Sequence, residues 1–326
     1  MSSPVFQSIG NLAPAEALRL SQQAPSFLKN NPASISSSPF AALFSAKETP
    51  ELWANYESIM VACLCAGDDD SAQQCLERLS NRFGGDNERV MALKGLVQEA
   101  TAENDRALEE ILKQYNKILS ENNTNIPIAK RRIALLRSMG RISEAVASLN
   151  SMLDFLPNDP EAWAELSDIY FTQGLYPQAI FALEEVLILM PNAWNMHARL
   201  GELLYMAAIT TQAVESPARK YLAEAVKRFC RSIELCDDYL RGYYGLKLTV
   251  SHIIKSPPKA SAKQTDEGEL VLPDDSKLKA LDALATKKLA EIVRRSSTQE
   301  RGCQGYNKAE IHAVRSLLEM ENAIIR

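Results

Sequence analysis

The sequence predicts an all-α protein, a solenoid of stacked antiparallel helix pairs, on three observations. Ala and Leu are the commonest of the 326 residues and Glu, Lys and Arg are frequent, while glycine is scarce at 13 and aromatics make up 7%; this is the vocabulary of helices rather than strands. Residues recur at a spacing of 34, pairing Gly140 with Gly174, Ala145 with Ala179, Leu149 with Leu183, Met152 with Val186 and Pro157 with Pro191. Coincident pairs at one spacing mark an internal repeat of the length that builds solenoids. Within the repeat, Trp163, Leu166 and Tyr170 fall at i, i+3 and i+7, the stripe of a helix that buries one face.

The first fifty residues differ from the rest. Pro14 to Ser21 can start a short helix with proline at its first position, whereas residues 29–39 read as loop by their Asn, Pro and Ser content. Residues 1–50 are therefore expected to form an arm with a short helix. The array is expected over 51–254. Its first unit, about Glu51 to Gly84, sets Trp53, Tyr56 and Met60 against Ala72, Leu76 and Leu79 across a turn at Gly67 to Ser71. The second, about Val90 to Asn123, keeps Tyr115 and Ile118 in phase, although its small residue, Ala107, falls four positions early. The third, about Ile126 to Asp159, has Leu136, Gly140, Ala145, Leu149 and Pro157 in register.

Residues 160–193 are the clearest unit and resemble the tetratricopeptide repeat in nearly every signature position. Trp163, Leu166, Ser167 and Tyr170 lie on the first helix, Ala179, Leu183 and Val186 on the second, and Pro191 closes the unit. Gly174 lets the chain turn between the helices, Ala179 is small where they approach most closely, and Pro191 cannot continue a helix. Downstream, Ala225, Phe229 and Ile233 repeat Ala179, Leu183 and Leu187 at a spacing of 46, which places a twelve-residue insertion at about 210–221. A first-type helix follows at Leu240 to Ile254. Residues 255–277 read as a polar linker. Two capping helices complete 278–326, one capped by Ser276 and one capped by Asn307 that carries Ile311, Val314, Leu318 and Ile325.

Charge and motifs narrow the function. A net charge of -5 disfavours nucleic acid, which needs a concentrated basic surface. The densest apolar run, Val186 to Met190, is far short of the roughly 18 residues that a membrane span needs. Met1 to Ile9 has neither the basic nor the apolar region of a secretory signal, which predicts a cytosolic chain. Six cysteines without a CxxC pair read as reduced thiols. Cys63 and Cys65, at i and i+2, point to different helix faces and cannot share a metal. His197 occupies the repeat position of Trp163 and reads as a packing residue. Asp68, Asp69 and Asp70 read as solvated turn residues, and the basic runs Lys130 to Arg132 with Arg137, and Lys287-Lys288 with Arg294-Arg295, as solvated helix faces. No catalytic residue, metal site or cofactor is expected, and the chain is not read as an enzyme.

A repeat array of this kind binds a peptide or docks subunits along its first helices. A co-chaperone or adaptor gripping an acidic peptide tail is the alternative reading; the family's carboxylate clamp would fall on Lys130, Ala134, Glu165, Asn195 and Arg199, of which only two match, and Glu165 would repel a carboxylate. Residues 159–252 more closely resemble the tetratricopeptide subunit family, subunit 2, of the ER membrane protein complex. The resemblance rests on the near-complete repeat at 160–193, the interrupted repeat that resumes at Ala218 to Leu222, Tyr244-Gly245-Leu246 leading to Ser251-His252-Ile253, and residues 258–263. It implies a non-catalytic scaffold peripheral to the ER membrane on its cytoplasmic side. Such a chain would hold membrane subunits and an MPN-like cytosolic subunit, in a complex that inserts tail-anchored and multi-pass proteins without nucleotide hydrolysis. The exposed first-helix residues Asp168, Phe171, Glu202 and Tyr205 are the expected partner contacts, and Trp163, Leu166, Tyr170, Gly174, Ala179, Leu183 and Pro191 the repeat core.

Overall fold

The computed structural model describes residues 14–31, 49–210, 215–255, 272–298 and 306–324, without the side chains of 215–217 and 320–324. Every regular element among the described residues is an α-helix. In chain order these are α1 (Pro14–Asn30), α2 (Pro50–Ala66), α3 (Asp69–Phe83), α4 (Glu88–Ala100), α5 (Asp105–Glu121), α6 (Ile126–Ser138), α7 (Ile142–Phe155), α8 (Pro160–Thr172), α9 (Tyr176–Leu189), α10 (Trp194–Thr210), α11 (Glu215–Leu235), α12 (Leu240–Lys255), α13 (Asp275–Ser297) and α14 (Lys308–Ile324). The chain is an α-solenoid of the tetratricopeptide type. It forms two compact units that divide between Met152 and Leu153, inside α7.

In the first unit, polar side chains start the helices. Asp68, Asn87, Asn104 and Asn125 each accept a backbone N–H of the helix that follows, satisfying donors that have no partner within the helix. Asp68 is thus a helix cap rather than a solvated turn residue, and Asp69 and Asp70 lie in the first turn of α3, where negative charge is favourable. The expected arm is, over 14–31, a helix of 17 residues packed on α2 and α3, with Ala17, Ser21, Ala24 and Leu28 buried. Phe27 meets the Tyr56 ring edge-on at 4.8 Å, and Arg78 donates to the carbonyl of Asn31 at 2.6 Å and to the Tyr56 hydroxyl at 2.9 Å. Residues 1–13 and 32–48 lie outside the described residues. Farther along, Tyr115 on α5 lies against Gly95 on α4 and donates to Glu99 at 2.5 Å, while Arg131 on α6 pairs with the same carboxylate.

In the second unit, α8 and α9 pair across Gly174, whose φ of 72° is one that a Cβ disfavours. Ser167 donates to the carbonyl of Ala179 at 2.7 Å, so the small residue marks a close helix contact. Leu166, Ala179 and Leu183 are buried; Trp163 and Tyr170 are half-buried, packed on the margin of the core. The Trp163 indole N–H instead reaches back six residues to the Pro157 carbonyl at 2.8 Å. His197, one repeat later, makes the same bond to Pro191 at 3.0 Å. Tyr243, at that position in α12, donates to the Asp237 carboxylate, again six residues back, at 3.0 Å. Each first helix is thereby tied to the loop that precedes it.

The inserted residues lengthen helices. α10 has 17 residues against 13 in α8, and α11 has 21 against 14 in α9; residues 211–214 lie outside the described residues. The ring of Phe229 on α11 is wedged between glycines: a Cβ at Gly201 on α10 would come within 2.9 Å of it and one at Gly245 on α12 within 2.1 Å. The expected linker is shorter at both ends, since Lys255 ends α12 and α13 starts at Asp275; residues 256–271 lie outside the described residues. The cap of α13 is Asp274, whose carboxylate accepts the Lys277 N–H at 2.9 Å. Ser276 donates its hydroxyl to Asp274 at 2.7 Å instead of capping. Asn307 does cap α14, accepting from Ala309 N–H at 2.9 Å while Glu310 takes the Asn307 N–H at 3.3 Å, a reciprocal capping box. Ile311 and Val314 of α14 are buried with Leu278, Ala285, Leu289 and Ile292 of α13; Ile325 lies outside the described residues.

Gly245→Ala should destabilise the second unit by about 1–3 kcal/mol through overpacking against Phe229, read as a lower urea midpoint. The penalty should shrink in a Phe229→Leu background, because the two residues share one contact; an equal penalty in both backgrounds would contradict the wedge.

Candidate functional site

Three of the four expected contact residues, Asp168, Phe171 and Glu202, come together around a fifth residue, Arg199. Asp168 and Phe171 lie on α8, Glu202 and Tyr205 on α10. Arg199 on α10 donates to Asp168 at 3.0 Å and to Glu202 at 2.7 Å, and its guanidinium carbon stands 4.7 Å from the centre of the Phe171 ring. Burial works against the Arg199 charge, but the hydrogen bonds to Glu202 and Asp168 outweigh it and raise its pKa. The side chains of Asp168 and Glu202 remain 53% and 52% exposed, so this cluster is a surface feature, not a core one. Phe171 meets Tyr176 edge-on at 6.0 Å, and Tyr205 meets His252 of α12 edge-on at 5.9 Å. Burial pushes the Tyr205 phenol up, and neighbouring Tyr244 reinforces the shift. Aromatic side chains thus lie on α8, α10 and α12, and the exposed carboxylates Asp168 and Glu202 on α8 and α10.

In the sequence Arg199 is visible only as one of two matches to an otherwise poorly matched clamp. The missed signal is its distance from Asp168, 31 residues, which in a 34-residue repeat sets side chains of neighbouring first helices abreast. An offset one residue longer recurs in the first unit, where Arg89 pairs with Glu57, Arg131 with Glu99 and Arg141 with Glu109, each 32 residues apart.

The basic runs are not simply solvated faces. Arg132 donates to Asn116 and Ser148, both at 2.6 Å. Lys288 pairs with Asp237 at 2.7 Å and Asp238 at 3.2 Å, and Arg295 with Asp238 at 2.7 Å; these bonds hold α13 to the loop before α12 and raise the pKa of both cations. Lys247 on α12 is 1% exposed and pairs with Asp282 of α13 at 2.8 Å, the pairing that a buried ammonium requires.

Among the described residues, no group of three or more His, Cys, Asp and Glu side chains could hold a metal ion, and no helix is long and apolar enough to cross a membrane. Cys63 is buried and Cys65 exposed. Burial pushes the Cys75 thiol up to about 12 and that of Cys230 to about 11, which suppresses the reactive thiolate. Cys303 lies outside the described residues.

His197 is 6% exposed. Because a carbonyl accepts from Nε2, that nitrogen carries the proton, and Nδ1 is buried without a hydrogen-bond partner. Protonating Nδ1 would bury an unmatched donor, and burial accordingly lowers the pKa, against the opposing Pro191 bond. The unfolded chain takes up this proton below about pH 6.5 while the folded chain does not. The His197 contribution is therefore complete above that pH and is lost as pH falls toward the depressed folded value. Urea midpoints measured from pH 7.5 down to 5 should fall less steeply for His197→Gln than for the native chain; equal slopes would contradict a neutral buried imidazole.

Residues 79–214 match the EMC2 TPR-like repeat domain. The chain is 35% identical over 263 residues to TPR repeat protein oca3 of Schizosaccharomyces pombe, covering 76% of this chain and 88% of that protein. It is 32% identical over 277 residues to ER membrane protein complex subunit 2-A of Xenopus laevis, covering 84% and 83%. To subunit 2 of the same complex in Saccharomyces cerevisiae it is 26% identical, covering 71% and 77%. Among solved structures, the C-terminal part of a TPR repeat-containing protein from Cytophaga hutchinsonii is similar at a TM-score of 0.47 and 14% identity, over 92% of this chain and 98% of that one; a likeness at that level adds nothing to the assignment. The matched repeat domain and the extent of similarity to the Xenopus protein together carry the conclusion: the chain belongs to the ER membrane protein complex subunit 2 family.

Proposed function

We propose that this chain is a non-catalytic scaffold subunit of the ER membrane protein complex. In this reading it sits on the cytosolic face of the ER membrane and supports energy-independent insertion of newly made tail-anchored and multi-pass proteins. The observation that carries the reading is the similarity to relatives named as subunit 2 of that complex, which spans 83% of the Xenopus protein. The chain's part is architectural. Stacked helix pairs supply a rigid row of first helices, and Asp168, Phe171, Glu202 and Tyr205 on that row contact a partner. The partners are the membrane subunits and an MPN-like cytosolic subunit, and attachment to the membrane runs through them.

The co-chaperone alternative is less well supported. Glu165 stands where a clamp needs a donor, and Arg199, the matching cation on α10, is already shared by Asp168 and Glu202. A tagged full-length copy, solubilised from cells in mild detergent, should co-migrate with several integral membrane proteins. Migration as a lone monomer, or with chaperones alone, would sink the proposal.

A further inference from the structure

We infer that the first-helix row of α8 and α10 takes a cationic segment: a Lys- and Arg-rich juxtamembrane stretch of a membrane-protein partner that also carries apolar side chains. The inference rests on the scaffold reading above and gives its groove a partner chemistry. Charge complementarity is the first argument. The first helices α8 and α10 hold four carboxylates, Glu161, Glu165, Asp168 and Glu202, against one arginine, Arg199. α8 contains no cation, and the only cation of α10 is Arg199; His197 is held neutral by its burial.

The second argument is geometric. Arg199 spends its guanidinium on Asp168 and Glu202 and stacks on Phe171, so it is poorly placed to receive an incoming carboxylate. Asp168 and Glu202 each give one oxygen to Arg199, and a carboxylate has a second oxygen with further acceptor sites. A lysine or arginine arriving from outside would meet those acceptors. Arg199 therefore acts as a spacer that holds the two acids on neighbouring helices in fixed positions.

The third argument is the aromatic row. Phe171, Tyr205 and Tyr244 are half-buried and pack on the core below. Their faces attract ammonium and guanidinium groups and cover the stems and apolar neighbours of a bound segment. The cytoplasmic flanks of membrane spans are enriched in Lys and Arg, which makes such a flank the matching occupant within the scaffold reading.

The test uses the full chain and two labelled synthetic peptides, one alternating Lys or Arg with Leu and one with Glu in place of every cation. Fluorescence anisotropy should show the cationic peptide bound, more weakly as salt is raised, and the acidic peptide unbound. Glu165→Gln/Asp168→Asn/Glu202→Gln should weaken the cationic peptide by about tenfold or more, with a thermal melt checking that the variant is folded. A second variant, Asp168→Lys/Glu202→Lys, should reverse the preference toward the acidic peptide. Equal cationic binding by native and neutralised chains, or tighter binding of the acidic peptide by the native chain, would overturn the inference. Detergent co-migration of the native chain separates the two claims. If it persists while the peptides show no charge preference, the scaffold reading stands and this inference falls; if it fails, the scaffold reading falls and takes the juxtamembrane source with it.

Discussion

A helix pair of this length has apolar surface on two sides and can cover one of them with its own partner helix; the other must be covered by the next pair. Everything else in the molecule follows from that requirement. In the second unit a single core runs from Ala179 through Leu204, Phe229 and Leu246 to Ile292 and Val314, so no pair there is a self-sufficient domain. Stacking of this kind is apolar and tolerates sliding, and the polar contacts supply the register. The six-residue tie from Trp163, His197 and Tyr243 to the preceding loop fixes where each first helix begins. Phe229 between Gly201 and Gly245 fixes how closely the helices of that region approach.

Arginine gives the second layer of register. An acid on one repeat and an arginine 31 or 32 residues later meet across the seam between neighbouring pairs. The more exposed of these, Arg141 with Glu109 and Arg199 with Asp168, contribute little individually, about 0–1 kcal/mol each, but an ion pair with fixed geometry discriminates against a shifted stack. The cations of α13 serve the same end, since Lys288 and Arg295 turn toward Asp237 and Asp238 instead of outward.

The 34-residue period carried Gly174, Ala179 and Leu183 into their places because each answers to a local constraint, a turn or a close contact, that any repeat of this kind must satisfy. The period says nothing about residues outside it. α1 joins the first core through Ala24 and Leu28, and its short apolar stripe broken by Pro25 reads locally as a weak helix. Asp274 rather than Ser276 caps α13 because the linker boundary had no repeat to anchor it. Trp163 is less buried than its phase suggests because its indole N–H is drawn to Pro157. Of the candidate site, the exposure of Asp168 and Glu202 is legible from helix phase, whereas Phe171 and Tyr205, expected to be exposed, are half-buried against the core. The role of Arg199 is not legible, because it depends on the offset between repeats, and the buried Lys247–Asp282 pair depends on a helix beyond the linker.

On the proposed scaffold function, the first-helix row of α8 and α10 is the surface left for a partner once stacking and register have taken the rest. Hydrogen–deuterium exchange compares that directly, with the full chain measured free and within a detergent-solubilised membrane assembly. Added protection concentrated on α8 and α10, with α9 and α11 unchanged, is the predicted result. Protection gained on α9 and α11 while α8 and α10 exchange as in the free chain would contradict the account.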